Sequence, residues 1–180
     1  TLNDDVRVVL IKLADRLHNC RTIEFMPEHK RDKILSETMF VFIPLAHRLG
    51  LYGIKSEMED IWLRYKEPEA FNEITAKINR NVIDKDKEIN DFIAPIEASL
   101  RKAGFRFEIK KRVKTPYSIW NKMIKKRIDF DQIYDLYAVR IIFDPDESTK
   151  ETERDQCYHI FSIITAIYRY KSDRSEERRV

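Results

Sequence analysis

The sequence predicts an α+β protein whose first part is all helical and whose later part mixes short strands with helices. Three observations carry that expectation. From position 6 to position 100, apolar side chains recur every three and four residues. Beyond Gly104 the spacing drops to two, with Phe105, Phe107 and Ile109 alternating with Arg106, Glu108 and Lys110. Residues 137–143 then form an apolar, β-prone run interrupted only by Arg140. The change of period near Gly104 sets the expected domain boundary, with helices before it and mixed structure after it.

Residues 4–21 are the first expected helix, since Val6, Leu10, Leu13, Leu17 and Cys20 repeat along one stripe and Pro27 marks the break. Asp15, Asn19 and Thr22 line up on another face, at i, i+4 and i+7. A second helix is expected over 28–49, with Ile34, Leu35, Thr38, Met39, Phe42 and Leu45 inward, a kink at Pro44 and a stop at Gly50. Ile54, Met58, Ile61 and Tyr65 mark a third. Glu67-Pro68 opens a short fourth carrying Phe71, Ile74 and Ile78. A long, charged fifth covers 81–103 on Val82, Ile89, Phe92, Ile93, Ile96 and Leu100, bent at Pro95 and closed by Gly104.

After the strand that begins at Phe105, Thr115 offers an N-cap and Pro116 a first helical position. Residues 137–143 read as a central strand and Asp144-Pro145-Asp146 as a turn. A last helix over 152–170 is expected to bury Cys157, Ile160, Phe161, Ile164 and Ile167. No internal repeat is visible.

Composition narrows the function. A hydrophobic share of 43% with 36% charged residues describes a soluble, helix-leaning domain. Three glycines leave no Gly-rich phosphate loop, and neither a Walker nor a Rossmann fingerprint is present. A net charge of +3, with basic and acidic residues interleaved, gives no ground for nucleic-acid binding. Cys20 and Cys157 stand alone, which suits a reducing cytosol and excludes a Cys-based zinc site. Without a long apolar run or signal peptide, a cytoplasmic protein away from the membrane is expected. The chain does not open with Met, and periodicity is already running at Val6, as in a piece of something longer.

The densest chemistry lies in Arg112-Val113-Lys114-Thr115-Pro116-Tyr117-Ser118-Ile119-Trp120-Asn121-Lys122, followed by Asp135 and Arg140. A polyphosphate needs several donors converging from one side, and Arg and Lys give charge-assisted bonds to its oxygens. Magnesium takes one or two carboxylates and lets phosphates complete its shell. Ser118 and Lys122 share a helix face, with Ile119 and Met123 on a neighbouring face to hold the helix down. The plainer alternative is a solvated basic face, since Lys110, Lys111, Lys125, Lys126 and Arg127 belong to the same run. Asp135 would then only cap a strand, and Asp15 would be ordinary helix surface.

The pattern Arg-x-Lys-x-x-x-Ser-x-x-x-Lys, followed by Asp-Leu-x-Ala-x-Arg, resembles the synthetase domain of RelA/SpoT proteins, the (p)ppGpp synthetase/hydrolases. Lys12-Leu13-Ala14-Asp15-Arg16-Leu17-His18-Asn19-Cys20-Arg21-Thr22 resembles the last metal-binding motif of the same family's HD hydrolase domain. The resemblance covers the chain to about Tyr170. It implies the C-terminal helices of an HD domain over 1–66, linker helices over 67–104, and the first half of a nucleotidyltransferase-like synthetase over 105–180.

By that resemblance Asp15 would be a manganese ligand, and Asn19 and Thr22 would line the hydrolase nucleotide pocket. Arg112, Lys114, Ser118 and Lys122 would contact ATP phosphates or adenine, and Arg112 and Arg140 would sandwich the adenine ring. Asp135 would hold Mg²⁺ and, with Lys122, form the catalytic pair. The reaction implied is transfer of pyrophosphate from ATP to the 3′-hydroxyl of GDP or GTP, with (p)ppGpp as its product and as substrate of the hydrolase. Ribosome contact would need domains outside this chain.

The sequence departs from the pattern in three places. Lys111-Arg112-Val113-Lys114 stands where the family has Gly-Arg-Pro-Lys, which alters the turn that aims Arg112. The HD centre also needs two histidines and a His-Asp pair, and His18, His29, His47 and His159 fit no such set. The family's acceptor-binding motif and catalytic glutamate are missing after Tyr170. The expectation is a chain that binds ATP weakly and by itself neither makes nor hydrolyses (p)ppGpp. Two other classes fit the same residues: a regulatory fragment whose charged helices bind a partner protein, and a nucleotidyltransferase-like enzyme with a different acceptor.

Overall fold

The computed structural model describes residues 6–146 and 148–169. Its helices are α1 (Val6–Arg21), α2 (Glu28–Glu37), α3 (Ile43–Arg48), α4 (Tyr52–Lys66), α5 (Pro68–Lys102), α6 (Pro116–Lys126) and α7 (Glu153–Ile167). The strands are β1 (Arg106–Val113) and β2 (Tyr137–Asp144). The α+β class is as the sequence implies. Two compact units form, each from two stretches of chain. Described residues up to Asn79 join Val113–Tyr137 in the first; Arg80–Arg112 join those from Ala138 onward in the second.

The first unit has two apolar clusters. One gathers Val9, Leu13, Leu17 and Cys20 of α1 with Ile43 and Ala46 of α3 and Met58 and Ile61 of α4. Val6 and Leu10, expected inward, are exposed, and Val9 takes their place. The α1 sequence carries two apolar stripes, and spacing alone does not say which one a neighbour covers. The other cluster joins Ile74 of α5 to Ile119 of α6 and to Phe130, Ile133 and Leu136.

The expected kink at Pro44 takes the form of a π turn. Thr38–Phe42 is π-helical between α2 and α3, and the Ile43 N–H donates to the Thr38 carbonyl. Proline has no N–H, and its ring clashes with the carbonyl four residues back; a wider turn just before it relieves both problems. The Thr38 side chain is fully buried, its Oγ1 donating to the Ile34 carbonyl at 2.7 Å and lying 3.3 Å from the Cys20 Sγ. Gly50 ends this stretch at φ +72, with the Leu51 N–H reaching back to the Ala46 carbonyl.

The fourth and fifth expected helices are one, α5, of 35 residues. Nothing between Ile78 and Val82 stops a helix: Asn79, Arg80 and Asn81 are neither Gly nor Pro. Pro95 lies within it and Gly104, at φ +84, closes it.

In the second unit, Phe105, Phe107 and Ile109 pack with Ile141 and Phe143 of β2 on Ile96, Leu100 and the α7 residue Ile160. The Lys114 N–H donates to the Leu136 carbonyl at 2.9 Å, so the end of β1 meets the start of β2 and the strands run antiparallel. Among the described residues the sheet has two strands, so β2 is not central as expected. Its alternate residues are exposed. On α7, Cys157 and Phe161 face outward, and Gln156 is buried instead. Gln156 bridges the loop before the helix, accepting from the Asp146 N–H at 2.9 Å and donating to the Asp146 carbonyl at 3.1 Å.

Candidate functional site

The site is built around α6. Thr115 is extended, and its side-chain oxygen accepts from the Ser118 N–H at 3.4 Å, with Pro116 in the first turn. The next backbone donor, the Tyr117 N–H, goes to the Asp60 carboxylate of α4 at 2.9 Å. At the other end Arg127 adopts the left-handed conformation, φ 51, that usually falls to glycine. Ile119, fully buried, and Trp120 and Met123 seat α6 on its cluster. Ser118 and Lys122 stay half-buried.

Asp135 lies between two buried anchors, Ile133 and Leu136, which fix the chain on either side of it. Lys122 Nζ donates to its Oδ1 at 2.8 Å, and Lys114 Nζ donates to its Oδ2. Burial works against ionisation here, but the two lysine hydrogen bonds and charges outweigh it and hold the carboxyl at about 2. Three of the expected residues, Lys114, Lys122 and Asp135, are therefore brought together. The Ser118 hydroxyl instead accepts from the Thr115 hydroxyl at 3.2 Å. Arg112 and Arg140 belong to the second unit, on β1 and β2, where both side chains are exposed on the face of the sheet opposite its core.

On α1, Asp15 is exposed and accepts from Asn19 Nδ2 at 3.1 Å. The Thr22 hydroxyl donates to the His18 carbonyl at 2.9 Å. Among the described residues no group of three or more His, Cys, Asp or Glu side chains is placed to hold a metal ion. Asp15 alone does not make a manganese centre. Asp135 is different: its hard oxygens suit Mg²⁺ as a single protein ligand, provided phosphates supply the rest and draw the lysines away.

Sequence reasoning missed Asp60. Its partner is 57 positions away, and the one local cue is the acidic pair Glu59-Asp60 between the buried Met58 and Ile61. Burial pushes the Asp60 carboxyl up to about 6; the Tyr117 N–H and the charges of Arg64 and Lys55 pull it back only in part, and Glu59 adds to the rise. No helix among the described residues is long and apolar enough to cross a membrane.

α1 thus presents the exposed Asp15, and the segment running from β1 through α6 to β2 carries the Lys114–Asp135–Lys122 cluster. Comparison with known families agrees: the model for the HD domain matches residues 1–52, and that for the region found in RelA / SpoT proteins matches 111–179. The chain belongs to the RelA/SpoT family, spanning the end of the HD domain and the start of the synthetase.

Its relatives include a GTP pyrophosphokinase of Myxococcus xanthus, 44% identical over 138 residues, covering 77% of this chain and 18% of that protein. A guanosine-3′,5′-bis(diphosphate) 3′-pyrophosphohydrolase of Aquifex aeolicus is 36% identical over 167 residues, 92% of this chain and 23% of that protein. The GTP pyrophosphokinase of Escherichia coli K12 is 34% identical over 175 residues, 97% and 22% respectively. The chain thus spans only about a fifth of the length of these relatives.

Proposed function

We propose that this chain supplies the ATP-binding half of a cytoplasmic stringent-response enzyme that transfers pyrophosphate from ATP to the 3′-hydroxyl of GDP or GTP and whose HD part hydrolyses (p)ppGpp. The observation that carries the reading is Asp135 held by Lys114 and Lys122 within the segment that matches the RelA/SpoT region. The domain assignment goes with it: HD helices over 1–66, a linker over 67–104 and the synthetase from 105.

In the transfer, the acceptor 3′-hydroxyl loses its proton to water as its oxygen bonds to the β-phosphorus, the bond from that phosphorus to the α–β bridging oxygen breaks, and AMP leaves. Such chemistry is dominated by positioning and charge neutralisation. Lys114 and Lys122 exchange Asp135 for phosphate oxygens and neutralise the charge that develops on them. Ser118, on the same face as Lys122, turns its hydroxyl from Thr115 to a phosphate oxygen. Asp135 would hold Mg²⁺, whose charge would screen the phosphates. Arg112 and Arg140 take the adenine, a use of the planar guanidinium that lysine does not replace. On the hydrolase side, Asp15, Asn19 and Thr22 would be part of a manganese and nucleotide site whose other ligands are not among the described residues, and no step is derived through it.

The test is calorimetric titration of the chain with ATP and Mg²⁺, alongside a pyrophosphate-transfer assay with labelled ATP and GDP. Saturable binding is expected, weakened more than about tenfold in Lys122→Ala, the loss of one hydrogen bond between charged groups. The transfer assay is expected to yield no ppGpp. Absence of saturable binding, or equal affinity in Lys122→Ala, would overturn the site; formation of ppGpp would overturn the view that this is only the donor half.

A further inference from the structure

We infer that Asp60 is a positioning residue that fixes the seat of α6 and so the reach of Lys122 toward the donor nucleotide; the inference deepens the reading above. Neither matched segment contains it, since the HD match ends at residue 52 and the RelA/SpoT match begins at 111.

The first turn of α6 has few ways to be anchored. Pro116 has no N–H, and the Ser118 N–H goes to Thr115 within the same short stretch at 3.4 Å. The Tyr117 N–H is the donor that reaches another element, and Asp60 takes it at 2.9 Å. The rest of the α4–α6 seam is aromatic and apolar: Trp62 lies 6.1 Å from Tyr117 and 6.0 Å from Trp120, ring to ring, and the Tyr117 hydroxyl lies 3.9 Å from the Met39 sulfur. Apolar contact holds surfaces together without fixing direction. A hydrogen bond to a carboxylate does fix it. A roll of about 10° moves a side-chain tip at the rim of a helix about 10–12 Å across by ~1 Å. Displacements of that size at a reacting group are costly in rate.

The seam also carries buried carboxylates that packing does not call for. Glu59, 5% exposed, pairs with Lys55 at 2.7 Å through Oε1, while its Oε2 has no hydrogen-bond partner among the described residues. Asp60 therefore sits beside a second buried carboxylate, with Lys55 and Arg64 as the cations nearest to it and Tyr117 facing it from α6. Buried charge of this kind is a poor source of stability, and its best-attested use is to specify one arrangement over others.

The experiment compares the 180-residue chain with Asp60→Ala, Asp60→Asn and the double variant Asp60→Ala/Lys122→Ala. Affinity for ATP with Mg²⁺ is measured well below the melting temperature, together with amide hydrogen exchange at Tyr117. Asp60→Ala is expected to weaken binding about five- to tenfold, less than direct loss of a charge-assisted bond to the nucleotide would, and to free the Tyr117 amide. Asp60→Asn, which keeps an acceptor, is expected to restore both. In the Lys122→Ala background the effect of Asp60→Ala on affinity should vanish, because Asp60 acts through that lysine. A merely structural role would lower the melting temperature and leave this coupling at zero, and unchanged affinity in Asp60→Ala likewise overturns the inference. Should the parent chain fail to bind ATP, the nucleotide reading falls by itself. Exchange at Tyr117 and Lys122 then decides on Asp60: faster exchange in Asp60→Ala alone upholds the anchor, and unchanged exchange rejects it.

Discussion

Asp135 and Asp15 are both carboxylates that family resemblance assigns to a metal, and their surroundings differ in kind. Asp135 meets two ammonium groups brought from the end of β1 and from α6, against a floor of buried Ile133 and Leu136. Asp15 stands exposed on α1 with the neutral Asn19 amide at 3.1 Å. The first is one carboxylate between two ammonium groups, a cluster with one positive charge in excess. The second has, among the described residues, no companions placed to hold a metal ion with it. A carboxylate that matches a motif is thus not equally informative in the two places: near α6 two charged neighbours converge on it, on α1 a neutral amide does.

The largest expected effect separates packing from chemistry on α1. Leu13→Ala, at a fully buried position, should lower stability by about 2–5 kcal/mol in urea unfolding. Asp15→Asn, two residues on and exposed, should stay within about 0.5 kcal/mol. Equal losses would show that Asp15 is built into the fold after all. Next, Lys114→Ala combined with Lys122→Ala should reduce the affinity for ATP and Mg²⁺ by about a hundredfold or more, at about 1.5–3 kcal/mol per charged hydrogen bond. Asp15→Asn should leave that affinity untouched, and any loss there would break the contrast between the two sites.

Acid titration sharpens it further, because the carboxyl of Asp135 is held below its ordinary value. Its ionised form favours folding, so its contribution is present above about pH 4 and is lost as pH falls toward about 2. The stability difference between the parent chain and Asp135→Asn should close over that range in guanidinium unfolding. The smallest effect has the opposite sign. Asp60 is raised to about 6, so the folded chain keeps a proton that the unfolded chain has given up. Stability should therefore decline as pH rises from about 4 to about 6, and Asp60→Asn should flatten that decline in thermal melts across the same window.

Local signals served the sequence reading well and distant ones did not reach it. Thr115 and Pro116 announced α6, the alternation at Phe105, Phe107 and Ile109 announced β1, and both glycine stops have positive φ. The spacing of Ser118 and Lys122 was legible too, but the lysines' grip on Asp135 needed the turn over Phe130–Gln132 to carry the chain back. Which apolar stripe is covered was not legible. Val6 and Leu10 on α1, like Cys157 and Phe161 on α7, repeat correctly and still face outward. Asp60 was hidden for a simpler reason, since its partner belongs to another element 57 residues away and no period connects them.

The π turn at Thr38–Phe42 has a consequence for how this sequence can change. A π turn carries one residue more than the α-helical path it replaces, so removing that residue leaves the helix faces on either side in register. Phe40, 78% exposed, would take nothing from the core if it were lost. Pro44 stands against such a deletion: in a plain α-helix its ring would meet the carbonyl of the residue four positions back. The extra residue and the proline are bound to each other. A single-residue deletion in this turn should be tolerated only in a chain that has also exchanged Pro44 for a residue with a backbone N–H.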